Sequence, residues 1–213
     1  MLEHHAQFSN WADEAMRRLV DGNARFVRGE LSHSPLSQEA FDKLARGQEP
    51  YAAILGCSDS RVPPELIFDV GFGDLFVVRV AGNTVTPEVA GSLQFAGVHL
   101  HTPLLVVLGH EKCGAITAAM EMKLHGSRQQ CGIQLLVDAV LPALSRVDHH
   151  APPEAQLAQA VEDNVRWTMA RIVEARIVGN RMKLAGAVYE IATGRVRFLT
   201  ERSASYADSS ARA

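Results

Sequence analysis

Five aliphatic residues in a row, Leu104-Leu105-Val106-Val107-Leu108, run straight into Gly109-His110. A strand with one wet face alternates apolar and polar side chains, so a short unbroken run marks a strand covered on both faces. Such strands belong to parallel sheets whose crossovers are helices. Apolar runs at 51–56 and 75–80 predict two more of them. Helical spacing, proline placement and capping residues predict helices at 11–27, 37–44 with Ser37 as N-cap, 63–68, 86–100, 113–123, 132–143 and 154–173. His33-Ser34-Pro35-Leu36-Ser37 reads as a turn. Ala192-Thr193-Gly194-Arg195, between apolar stretches at 184–191 and 196–200, reads as a hairpin. Strands alternating with helices give an α/β fold: a central, mostly parallel β-sheet with an antiparallel edge, flanked by helices.

The 213 residues fit one domain, 1–213, with residues 1–45 as an N-terminal helical arm for dimerisation and 203–213 as a polar tail. A net charge of −3 with scattered basic residues argues against nucleic acid or an anionic membrane as partner. No apolar stretch approaches a membrane span. The opening MLEHHAQFSNWADEAMRRL lacks the basic-then-apolar pattern of a secretory leader. The expected compartment is the cytoplasm; a periplasmic protein stripped of its leader would read the same way. Three cysteines do not make a disulfide framework, and Cys131 reads as a small hydrophobe.

Two short segments carry the chemistry. Cys57-Ser58-Asp59-Ser60-Arg61 follows the first strand, and His110-Glu111-Lys112-Cys113 follows the 104–108 run. Together they offer two thiolates, an imidazole and a carboxylate, all ligand types that Zn²⁺ accepts. His110 and Cys113, at i and i+3, can aim at one ion across a tight turn. Cys57 joins them if the two strands are parallel neighbours that end at the same sheet edge. Three fixed ligands leave the fourth position for water, or for Asp59. Each residue alone has a plain alternative: a buried cysteine as a hydrophobe, a hydrogen-bonded histidine, and Asp59–Arg61 as a surface ion pair. As a cluster they read as a metal site or as a redox thiol pair.

CSDSRVPPE at 57–65, FVVRVAGN at 76–83 and GHEKCGAI at 109–116 resemble the β-class carbonic anhydrases, with features of the plant-like, type I subtype. The similarity runs from about residue 21 to 199. It implies one Zn²⁺ per chain held by Cys57, His110 and Cys113, and homodimers, at times paired into tetramers, with active sites at the interface. The implied reaction is reversible hydration of CO₂ to bicarbonate and a proton by zinc-bound hydroxide. Asp59 and Arg61 would be the catalytic dyad, with Asp59 the fourth ligand in a closed state that prevails at lower pH. Gln48 matches a glutamine that binds substrate across the interface. Phe76, Ala81, Phe95 and Gly114 match substrate-pocket positions, and His99 matches a proposed proton shuttle.

The same nucleophile would serve a related zinc lyase or hydrolase acting on COS or CS₂. A non-catalytic zinc- or bicarbonate-binding dimer is a third reading. The sequence also departs from the family pattern. Phe95 stands where a tyrosine is common, and Val80 where an asparagine is. Ile54 replaces the tryptophan of the bicarbonate-inhibited subtype, although Arg79 aligns with that pocket's arginine. The segment between 169 and 184 is shorter than usual.

Overall fold

A computed structural model describes residues 2–32, 37–148, 150–179 and 182–199. The expected turn at 33–36, the end of the last strand at 200 and the polar tail lie outside the described residues. Among these residues, strands β1 (Ala52–Gly56), β2 (Leu75–Arg79), β3 (Leu104–His110), β4 (Lys183–Tyr189) and β5 (Val196–Phe198) form one sheet in the order β2-β1-β3-β4-β5. The first four are parallel and β5 returns antiparallel to β4, as the hairpin predicts. Around the sheet lie helices α1 (Leu2–Arg28), α2 (Gln38–Leu44), α3 (Pro64–Ile67), α4 (Pro87–Val98), α5 (Gly114–His125), α6 (Cys131–Val140) and α7 (Pro153–Glu174). No helix of the described residues is long and apolar enough to cross a membrane.

The aliphatic run is buried along its whole length because both faces of the sheet are covered. Ala53, Leu55, Leu105 and Val107 point toward Leu93, Ile116, Val137 and Val165 in the layer of α4–α7. Ala52, Ile54, Leu104, Val106 and Leu108 point the other way, toward Leu19 of α1 and toward Ile67 and Phe68 at the end of α3. Each large side chain so buried contributes about 1.5–3 kcal/mol from the removal of apolar surface. On the first face α7 lies very close to the sheet. A Cβ on Gly109 would stand 2.6 Å from Val165 Cγ2, and one on Gly186 2.6 Å from Met169 Sδ.

The expected N-terminal arm is part of this body from Ala12 onward. Ala12, Ala15 and Leu19 are buried. Asn23 Nδ2 donates to the carbonyls of Ile67 and Gly194, and Asn23 Oδ1 accepts from Val196 N, so one side chain ties α1 to α3 and to the hairpin. The helix predicted at 132–143 ends as α6 at Val140. It continues as a 3-10 turn, Leu141–Arg146, because Pro142 has no N–H for the α-helical ladder. Ser37 caps α2 as the sequence predicts, accepting from Ala40 N, and Thr86, where the predicted 86–100 helix starts, caps α4 by accepting from Val89 N.

Strand order positions the site. The chain leaves β1 toward β2 on one side, then crosses back to β3 on the other. The connections after β1 and β3 therefore diverge, and a crevice opens beyond the C-terminal ends of these two strands. At the far side, β2 is an edge strand, and its residues remain half-buried or exposed.

Candidate metal centre

The crevice is where the two chemical segments meet. Cys57 directly follows β1, His110 is the last residue of β3, and Cys113 is the N-cap of α5. The two residues between His110 and Cys113 turn the chain sharply, with Lys112 in the left-handed region at φ 52°. The ligand atoms of Cys57, His110 and Cys113 all lie within 4.8 Å of one another, and all three residues are buried. The two sulfurs stand 3.9 Å apart as free thiols, about twice the ~2.05 Å of a disulfide bond.

Two observations show that the trio fits a metal ion. His110 Nδ1 lies 2.8 Å from the Glu111 carbonyl, which can only accept, so Nδ1 carries the proton and Nε2 keeps a lone pair. Nε2 is buried with no hydrogen-bond partner, a costly arrangement unless a cation takes the lone pair. The sulfurs supply the second observation. The hydrogen bond from the Cys113 thiol draws Cys57 far below the usual thiol range, against the effect of burial. Hydrogen bonds from the amides of Asp59 and Gly82 add to it. That same bond, followed by burial, pushes Cys113 up. Two buried sulfurs 3.9 Å apart would repel each other as thiolates, and a divalent cation between them lets both ionise.

The surrounding hydrogen bonds hold this geometry. Glu111 N donates to Tyr189 O, and Glu111 Oε2 accepts from Ile191 N, so the turn after His110 is fastened to the end of β4. Gly82 N donates to Cys57 Sγ at 3.4 Å. Only glycine suits that position. Its φ is 72°, and a Cβ would stand 3.3 Å from both Ala115 Cβ and Val140 Cγ2.

Asp59 and Arg61 lie at the mouth. Arg61 Nε and Nη2 grip the carboxylate as a fork at 2.9 and 2.7 Å, and Arg61 N adds a bond of 3.0 Å. Arg61 Nη2 also reaches the Lys112 carbonyl at 3.2 Å. The Arg61 bonds hold Asp59 well below the ordinary carboxylate range, outweighing its partial burial. Asp59 Oδ2 is 3.9 Å from His110 Nε2. Arg79, from the end of β2, donates to the carbonyls of Cys57 and Asp59 and so clamps the loop that carries both. Ile54 is fully buried within β1.

The other expected site residues divide into two groups. Ala81 adjoins Gly82, and Gly114 follows Cys113, so both border the trio. Phe76 is paired with Ala53, four residues before Cys57, or ~13 Å along the strand. Its ring is 6.3 Å from that of Phe95, which in turn is 4.9 Å from the His99 ring at the C-cap of α4. Gln48 is exposed and precedes β1 by four residues, at the opposite end of the strand from Cys57. It lines a cleft of about 770 Å³ with Arg18, Lys43 and Phe72. Gly82, Glu111 and Asn164 also serve the site, although no sequence pattern assigns them a role. Asn164 carried one signal, a polar residue on the otherwise largely apolar buried stripe of α7.

Comparison with known proteins adds the family context. The model of a family described as carbonic anhydrase matches residues 52–196. The chain is 39% identical over 185 residues to carbonic anhydrase 2 of Mycobacterium tuberculosis, covering 85% of this chain and 89% of that protein. Among solved structures, it is similar to a β-carbonic anhydrase of Coccomyxa in complex with acetazolamide. That likeness has a TM-score of 0.65 and 27% identity, over 76% of this chain and 77% of the other. A tetrameric β-carbonic anhydrase of Sordaria macrospora superposes with a TM-score of 0.67 at 24% identity, over 76% of this chain and 86% of that one, a likeness of fold.

Proposed function

The chain belongs to the β-class carbonic anhydrase family, and on that premise we propose that it hydrates CO₂ reversibly to bicarbonate and a proton with one Zn²⁺ per chain. Cys57 Sγ, His110 Nε2 and Cys113 Sγ would hold the ion. The observation that carries this reading is the buried, unpartnered His110 Nε2 facing two sulfurs. Zn²⁺ with three protein ligands lowers the pKa of water and so supplies a nucleophile near neutral pH; carbonic anhydrase, in a three-histidine form, is the standard example of this effect.

The chain's own residues decide what that nucleophile can do. Arg61 keeps Asp59 ionised and turned to the mouth, with Oδ2 3.9 Å from His110 Nε2. From there the carboxylate accepts the O–H of the reacting water and fixes its remaining lone pairs toward substrate. A rotation of Asp59 away from Arg61, into the trio, would close the site by occupying the fourth ligand direction. The forked pairing with Arg61 corresponds to the open arrangement.

CO₂ carries no charge, so an apolar pocket with one amide donor suits it. Ala81 and Gly114 border the trio of their own chain. Gln48 and Phe76 lie half a strand or more away, the Phe95 ring neighbours Phe76 and the His99 ring neighbours Phe95, and we assign the four to the site of a second copy. The half-exposed, unpaired edge β2 and the exposed Phe72, Phe95 and Val98 support a homodimer through this face. Gln48 would then hydrogen-bond substrate, the two phenylalanines would wall the pocket, and His99 would pass the proton to buffer.

Stopped-flow CO₂ hydration with zinc content measured on the same samples tests this reading. The expected result is one zinc per chain. Arg61→Ala and Asp59→Asn should retain the zinc and lose about 10²–10⁴-fold in turnover. Full activity in either variant would overturn the dyad. COS and CS₂ in the same assay separate the alternative lyase, which predicts their turnover with negligible CO₂ hydration. A non-catalytic zinc or bicarbonate binder predicts stoichiometric zinc with no turnover of any of the three.

A further inference from the structure

Asn164 is 1% exposed and sits on the buried stripe of α7 between Val161 and Val165. An apolar residue there would match its neighbours. Instead, Nδ2 donates to the Gly82 carbonyl at 2.9 Å, while Oδ1 is buried without a hydrogen-bond partner. Gly82 links two peptide planes. The plane on its C-terminal side is held by Asn164, and the amide on its N-terminal side donates to Cys57 Sγ at 3.4 Å. Backbone bonds from Val80 N to Gly56 O and from Asn83 N to Val80 O anchor the rest of the turn. Asn164 therefore holds the Gly82–Asn83 plane, which meets at the Gly82 Cα the plane whose N–H reaches the sulfur, and so steadies the glycine that presents that N–H.

From this chain of contacts we propose that Asn164 is a positioning residue for the metal centre, acting through Gly82 to keep a hydrogen bond on the Cys57 sulfur. The inference rests on the zinc reading above. An N–H donated to a ligating thiolate draws charge from the sulfur and holds it in place. The ion then keeps more of its positive charge, and the sulfur stays where the ion needs it.

The test compares wild type with Asn164→Leu, which removes the donor, and Asn164→Asp, which keeps the shape but turns an oxygen to the Gly82 carbonyl. With cobalt(II) in place of zinc, the thiolate-to-metal charge-transfer band should move to longer wavelength in both variants. Chelator competition should show zinc held about 10–100-fold more weakly. Wild-type protein loaded with cadmium-113 provides a measurement that needs no variant to fold. The Gly82 amide proton should show scalar coupling to the metal across the sulfur. Absence of that coupling, or a charge-transfer band and zinc affinity unchanged in folded variants, would overturn the inference. A wild type that takes up no cobalt and shows no such band would instead overturn the zinc reading on which it depends.

Discussion

Gly109→Ala tests how closely α7 must lie against the sheet to hold the centre. The new Cβ would stand 2.6 Å from Val165 Cγ2 and 3.4 Å from Val161 Cγ1. An ordinary carbon–carbon contact is ~3.5–4.0 Å, so about 1 Å must be found. Val165 is fully buried, and a β-branched side chain within a helix has essentially one χ1 well, so it cannot rotate aside cheaply. The helix or the strand must shift, at about 1–3 kcal/mol for overpacking. Removing a glycine from the unfolded chain returns about 0.5–1 kcal/mol. The net loss is about 1 kcal/mol at the middle of these ranges (~0–2.5 kcal/mol), or a fall in Tm of roughly 2–4 °C for a chain of this size.

The assay is thermal unfolding at fixed zinc concentration, since bound metal raises Tm by mass action. Gly132→Ala serves as the control, because a Cβ there meets nothing within 4 Å, and its Tm should hold or rise slightly. Val165 directly follows Asn164, so Gly109→Ala should also weaken metal binding. A Gly109→Ala protein at least as stable as the Gly132→Ala control would refute this account of the α7–sheet contact.

Two further substitutions probe the side of the sheet away from α7. The Asp69 side chain is fully buried, paired with Arg25 and accepting from Ser32 N and Oγ, so Asp69→Ala should lower the urea midpoint by the equivalent of about 2–4 kcal/mol. That figure lies toward the low end for a buried pair because Arg25 is one-third exposed and can regain water; an unchanged midpoint would contradict it. Tyr51, its hydroxyl buried without a partner, has its pKa pushed up to about 12 by burial, partly offset by the Arg18 cation over its ring. Its raised folded-state value stabilises the chain fully below pH ~10, and that contribution fades as pH climbs from ~10 to about 12. Tyr51→Phe should therefore lose less Tm than wild type across that window, and parallel curves would argue against the burial effect.

Much of the architecture could be read from the chain because its signals are local. The run at 104–108 stated that both faces of β3 are covered, and Ser37 and Thr86 announced their helix starts. The ligand set was equally legible, since each ligand lies within three residues of a strand end. What stayed hidden depends on distant contacts. Nothing near Arg79 says that its guanidinium clamps the Cys57–Asp59 loop, 20 to 22 positions earlier. Asn164 reaches Gly82 across 82 positions, and only its polarity on an apolar stripe hints at a task. Gln48 and Phe76 sit in the motif pattern as site residues, yet strand geometry sets them far from the sulfurs of their own chain.

The divergence of the chain at β1 and β3 also bears on how the protein stays folded. Cys57 and Cys113 are 56 positions apart, and the chain between them makes α3, β2, α4 and the whole of β3. An ion shared by the two sulfurs ties off that whole length as a covalent staple would. By the loop-entropy relation for such cross-links, a closure of this length is worth about 4 kcal/mol against the unfolded chain. For a protein whose total stability is typically ~5–15 kcal/mol, the ion that enables the chemistry would also account for much of what keeps the chain folded.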